Sequence, residues 1–138
     1  MLLLFLLLVV FQLKHLFVDY FLQNTYMLGK FKKEDWFMPL FAHTSMHGVA
    51  TLIIALMFGL NPLLSIILGL FDTIVHSIID RQKVIFSAKY DKNKDKEFWW
   101  WLGVDQTMHH LTHYFIIFLI LTSDEYMSKI VYNFIGFT

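Results

Sequence analysis

All seven histidines of this 138-residue chain lie inside, or at the edge of, apolar stretches long enough to cross a membrane. Most stand four residues from another histidine or an aspartate. The runs are His15-x3-Asp19-x3-Gln23, His43-x3-His47, Asp72-x3-His76-x3-Asp80 and Asp105-x3-His109-x3-His113. Four residues is just over one helical turn, so each run stacks its polar groups on one helix face. An ionisable group at the centre of a membrane helix costs roughly 2.5–3.5 kcal/mol on insertion scales. A chain that carries so many has a use for them, and the residue types are those of metal sites.

The apolar segments define an all-α, polytopic membrane four-helix bundle in a single domain. Hydrophobic residues make up 57% of the chain and its mean hydropathy is +0.57, outside the ordinary soluble range. The spans are expected over about 2–28, 36–58, 62–86 and 98–121, each long enough for ~30 Å of hydrocarbon. The first begins without a basic n-region or small-residue cleavage site, and reads as a membrane helix rather than a leader. Gly29 is expected to close it. Asp35 is expected to cap the second segment, with Pro39 in its first turn, and Asn61-Pro62 to open the third. The tail places Tyr126, Met127, Ile130, Val131 and Phe134 at helical spacing, which predicts a short interfacial helix over 124–137 or a homo-oligomer contact.

Charge placement predicts the topology. Lys30, Lys32 and Lys33 follow the first segment, and Arg81, Lys83, Lys89, Lys92, Lys94 and Lys96 end the third and follow it. The second loop has no basic residue. The positive-inside rule then puts both basic loops in the cytoplasm of a bacterial inner membrane, with N- and C-termini outside. Trp36 and Trp99-Trp100-Trp101 fall at that same interface. With 11 basic and 11 acidic residues there is no dominant basic face and no case for a nucleic-acid partner.

In this topology His15, Asp19, His43, His76, Asp80, Asp105 and His109 come to similar depths in the cytoplasmic half. A lone intramembrane histidine is as well explained by an interhelical hydrogen bond, worth ~0.6 kcal/mol on average. Agreement in depth among four helices points instead to one shared site. Without cysteine, its ligands must be imidazole, carboxylate, amide or water. Four-helix bundles build metal sites from facing helices in this manner. The expected ligands are His15, Asp19, His43, His47, His76, Asp80, Asp105, His109 and His113, with Gln23, Lys83, Gln106 and His110 supporting them. These exceed the needs of one ion, and three aspartates mildly favour two, so one or two divalent ions (zinc, iron or manganese) are expected. Lys14, mid-span, needs an aspartate partner.

The ordered set Lys14-His15-x3-Asp19-x3-Gln23, His43-x3-His47, His76-x3-Asp80-x2-Lys83 and Asp105-Gln106-x2-His109 resembles a family of small bacterial and phage integral-membrane proteins of unknown function. The resemblance covers about residues 10–120. It is distantly similar to inner-membrane metal-dependent hydrolases, which implies hydrolysis only by analogy.

The leading expectation is a membrane-embedded metal-dependent hydrolase working from the cytoplasmic side on a lipid or lipid-linked substrate, with Asp105 or Asp19 as base. The alternatives are a metal-ion or proton transporter, a bis-histidine haem bundle, and a non-catalytic membrane or phage interaction protein. The nearly apolar outer halves count against transport, and the aspartates against haem.

Overall fold

A computed structural model describes residues 1–123, and every regular element among them is helical. The elements are α1 (Leu2–Leu16), α2 (Phe37–Met57), α3 (Pro62–Ser87) and α4 (Lys96–Thr122). A π-helical turn, Phe17–Phe21, prolongs α1, and a 3₁₀ turn, Met27–Phe31, lies in the connection to α2. The helix expected over 124–137 falls outside the described residues. Among the described residues, three stretches are long and apolar enough to cross a membrane: Leu2–Phe21, Phe37–Met57 and Pro62–Ser87. The fourth helix is as long, at 27 residues, but carries Lys96, Glu97, Asp105 and three histidines.

The bundle buries polar groups and exposes apolar ones. His43, His47, His76, His109, His113, Thr44, Thr51 and Asp72 are all at most 1% exposed, whereas Leu2, Phe5, Met57, Leu63 and Phe118 are more than half exposed. Water does not favour that arrangement, and a hydrocarbon surround does. The interior is divided lengthwise. Leu7 and Phe11 of α1, Ile54 and Ala55 of α2, Leu68 of α3 and Ile116, Ile117 and Ile120 of α4 form an apolar core toward the α2–α3 turn. The opposite half, toward the two lysine-rich connections, holds the histidines and aspartates.

Local chemistry sets the helix ends. Asn61 Oδ1 accepts a hydrogen bond from Leu63 N–H (2.8 Å), with Pro62 at the first helical position, as its sequence predicts. Before it, Gly59 adopts φ 82°, which lets Leu60 N–H reach back to Ala55 O (3.0 Å) and end α2. Asp35 does not cap α2: it stands one residue before the N-cap position, which Trp36 holds without a side-chain hydrogen bond, and its φ of 53° is left-handed.

The first segment departs from the continuous helix expected over 2–28. The α-helix stops at Leu16 and Leu22 N–H bonds Phe17 O (2.9 Å), a one-residue widening of the turn. Asn24 Oδ1 then accepts from Met27 N–H (3.1 Å) and starts the 3₁₀ turn. Gln23 therefore leaves the face shared by His15 and Asp19. Gly29 lies within that 3₁₀ turn and closes no helix; a Cβ there would come 2.8 Å from Pro39 Cγ.

Helices α2 and α3 approach closely at Gly48 and Gly69. A Cβ on Gly48 would run into Thr73 Oγ1 and the Gly69 carbonyl, and one on Gly69 would lie 2.7 Å from the Gly48 carbonyl oxygen. Small residues let membrane helices pack this closely. Gly48→Ala is expected to destabilise the bundle by about 1–3 kcal/mol through overpacking. The check is thermal unfolding in detergent, and an unchanged midpoint would contradict this contact.

Candidate metal centre

The i, i+4 spacing does locally what helix geometry requires, presenting His43 and His47 from α2 and His76 and Asp80 from α3 on inward faces. The π turn of the first segment supplies Asp19. That turn type recurs at functional sites, where the extra residue re-aims a side chain. From α4 come Asp105 and His109, also buried.

These groups converge tightly. Asp19 Oδ1 lies 3.0 Å from His47 Nε2, 3.3 Å from His43 Nε2 and 3.9 Å from His76 Nε2. Its other oxygen is 3.1 Å from His15 Nε2. Asp80 Oδ1 lies 3.4 Å from His109 Nε2, which is 3.5 Å from Asp105 Oδ1, and Asp80 Oδ2 lies 3.5 Å from His43 Nε2. Among the described residues, two sets have all their donor atoms within 4.8 Å of one another: Asp19, His43, His47 and His76, and His76, Asp80 and His109. The sets share His76.

Those separations match a metal site. Ligands at about 2.1 Å from a tetrahedral ion stand about 3.4 Å apart, the spacing seen around Asp19 and Asp80. Hydrogen bonding accounts for only part of this: His47 Nε2 and Asp19 Oδ1 share a hydrogen bond, but His43 Nε2, His76 Nε2, His109 Nε2 and Asp105 Oδ1 are buried without a hydrogen-bond partner. Orphaned buried polar atoms call for an ion or water. The rings are held instead by stacking, with centroids 3.7 Å apart for His47 and His76 and 3.8 Å apart for His76 and His109. The donor set, imidazole and carboxylate without sulfur, suits a divalent first-row metal.

Other residues singled out in the sequence take varied positions. His15 Nε2 lies 3.2 Å from Gln106 Oε1, and Gln106 Nε2 donates to Asp105 Oδ2 (3.0 Å), so Gln106 links α1 to α4 beside Asp105. His113 joins neither set, because its Nε2 faces Lys14 Nζ at 3.3 Å. His110 Nδ1 pairs with Gln12 Nε2 at 3.1 Å and joins neither set, although its ring lies beside that of His15. Lys83 Nζ sits over the Phe31 ring at 5.2 Å and lines, with Asp105, a cavity of about 60 Å³ between α3 and α4. Gln23 lies past the π turn and is half-buried.

One feature was not legible in the sequence and another only in part. Lys30, buried in the 3₁₀ turn, donates to Asp80 Oδ2 at 2.6 Å and closes the basic end of the cluster. It lies on no periodic face, and only the fold-back of the turn brings it there. A second polar group lies deeper: Lys14 Nζ donates to Asp72 Oδ2 at 2.5 Å, and Thr51 Oγ1 donates to the same oxygen at 2.6 Å. Asp72 is thus the partner that Lys14 required; Thr51 had given no signal.

A family model described as "Protein of unknown function (DUF3307)" matches residues 3–136. No curated protein and no solved structure gives a match.

Proposed function

Since the chain belongs to this family of unknown function, DUF3307, its own site must carry the reading, and we propose that it is a membrane-embedded, metal-dependent hydrolase. The observation that carries the metal is the convergence of five histidine Nε2 atoms on Asp19, Asp80 and Asp105 at ligand-like separations. A divalent ion in such a site supplies Lewis acidity and brings bound water within reach of deprotonation near neutral pH. His43, His47, His76 and Asp19 would hold one ion, with His76, Asp80 and His109 as the overlapping second set. Asp105 would take the proton. Its Oδ1 is buried and accepts no hydrogen bond, while its Oδ2 is steadied by Gln106. Lys30 offers a buried cation beside Asp80 for an anionic leaving group or phosphoryl oxygen.

The positive-inside rule puts the lysine-rich end, and with it the site, on the cytoplasmic side, where an amphiphile in the inner leaflet would enter. A through-pathway for ions fits less well. Beyond the Lys14–Asp72 pair the interior is closed by Leu7, Phe11, Ile116, Ile117 and Ile120.

The metal reading is tested by elemental analysis of detergent-purified protein, where about one or two equivalents of zinc, iron or manganese are expected. No stoichiometric metal after reconstitution would remove it. The hydrolytic reading is tested with Asp105→Asn on a panel of lipid phosphates and esters. The variant is expected to keep its metal and lose activity by roughly 10²–10⁴-fold, the usual range for a general base. Wild-type protein with full metal and no activity on any member would overturn it.

A further inference from the structure

Arg81 follows Asp80 on α3, about 100° around the helix, so it points away from the histidine cluster. Lys30 takes the Asp80 carboxylate. Among the described residues the Arg81 guanidinium has no hydrogen bond or ion pair; it stacks over the Trp36 ring at 3.8 Å, and its Nη1 is buried without a partner. A desolvated guanidinium donor with nothing to bond is costly, and such an atom in a native fold points to a missing anion or water.

The surroundings choose between these. Arg81 stands at the junction of two grooves. One, of about 320 Å³, runs down the α2–α3 face and is lined by Trp36, Phe37, Leu40, Phe41 and Ile78. Phe37, Phe41 and Ile78 are half exposed or more, so this groove opens on the side that hydrocarbon would cover. The other, of about 560 Å³, opens toward the loops and is lined by Phe31, Lys32, Lys33, Ile85, Tyr90 and Phe98, together with Arg81. Among the described residues no carboxylate lines either groove. An apolar channel that meets three cations at a tryptophan-marked end is complementary to a molecule with one long apolar arm and an anionic head. Free phosphate would use the cations and leave the apolar groove without purpose.

We propose that this face binds one anionic phospholipid, its phosphate held by Arg81 with Lys32 and Lys33, and an acyl chain laid along the α2–α3 groove. The guanidinium fork matches phosphate oxygens bidentately, and lysines near a membrane surface add attraction for an anionic head. None of these residues belongs to the histidine–aspartate sets, so the site stands whether or not the metal centre hydrolyses anything.

The test is native mass spectrometry of the full chain in detergent, titrated with phosphatidylglycerol and with phosphatidylcholine of identical acyl chains. Retention of one phosphatidylglycerol, at least about tenfold tighter than phosphatidylcholine, is expected. Arg81→Gln should abolish that preference while metal content stays at the wild-type level. Millimolar inorganic phosphate should leave the lipid in place. Equal retention of the two lipids, or an unchanged preference in Arg81→Gln, overturns the proposal. Displacement of the lipid by inorganic phosphate overturns the lipid assignment in favour of a headgroup-only site. Should Arg81→Gln not fold, Lys32→Gln/Lys33→Gln, both on the exposed loop, decides: a preference cut several-fold supports the site, and an unchanged one overturns it.

Discussion

Replacing Lys14 alone by methionine is expected to destabilise the bundle by about 3–5 kcal/mol, the usual cost of stranding one partner of a buried ion pair. The Lys14 and Asp72 side chains are 2% and 1% exposed, and they lie in the middle of the bundle, next to its apolar half. With Lys14 gone, Asp72 keeps only the Thr51 hydroxyl, since its Oδ1 has no partner. Asp72→Asn alone should cost a similar amount, by leaving an ammonium beside His113 with no countercharge. The double variant Lys14→Met/Asp72→Asn removes both charges and keeps an acceptor for Thr51. It should recover most of the loss and fall within about 1–2 kcal/mol of wild type. The measurement is SDS-induced unfolding of the detergent-solubilised chain. Additive single losses in the double variant would mean that the two groups do not meet.

The second large effect is expected at His76, the residue common to both potential ligand sets. His76→Ala removes a donor from each set at once and takes away the ring stacked between His47 and His109. Bound metal should fall from about one or two equivalents to below about 0.1. His47→Ala and His109→Ala each strike a single set, and each should keep part of the metal. Gln106→Ala should leave metal content unchanged at saturation, because its partners His15 and Asp105 belong to neither set. His113→Ala should leave metal content as it is, because its Nε2 faces Lys14. Elemental analysis and competition with a chelator separate these outcomes, and circular dichroism shows that the helices persist. A His76→Ala protein with wild-type metal content would place the centre elsewhere.

The contrast between His76 and His113 illustrates how much of the site could be read in advance. Both sit at i, i+4 spacing from an aspartate or histidine, on inward faces of their helices, and spacing alone could not separate them. One helical turn of depth does so. His76 stands level with Asp19 and His43, whereas His113 is one turn further from Asp105 and meets Lys14 instead. The ends of α2, α3 and α4 lie within two residues of the segments inferred from the sequence. They are set by local chemistry, the Asn61-Pro62 cap and the polar stretch before Lys96. The first segment was less legible, because nothing in its leucine-rich pattern marks the π turn at Phe17–Phe21. An extra residue in a turn changes which groups face inward without changing composition or hydropathy.

Helical periodicity and the cost of ionisable groups in hydrocarbon were enough to specify a helical bundle that turns its histidines and aspartates inward, because both act within single segments. The assignment of partners is a different matter. Lys30 on Asp80, Lys14 on Asp72, Gln106 between His15 and Asp105, and an Arg81 left without a countercharge all follow from how α1, its π turn and the 3₁₀ turn fold against the other helices. Those contacts join residues dozens of positions apart. Spacing along one helix sets a side chain's direction, and only packing between helices sets what stands opposite it.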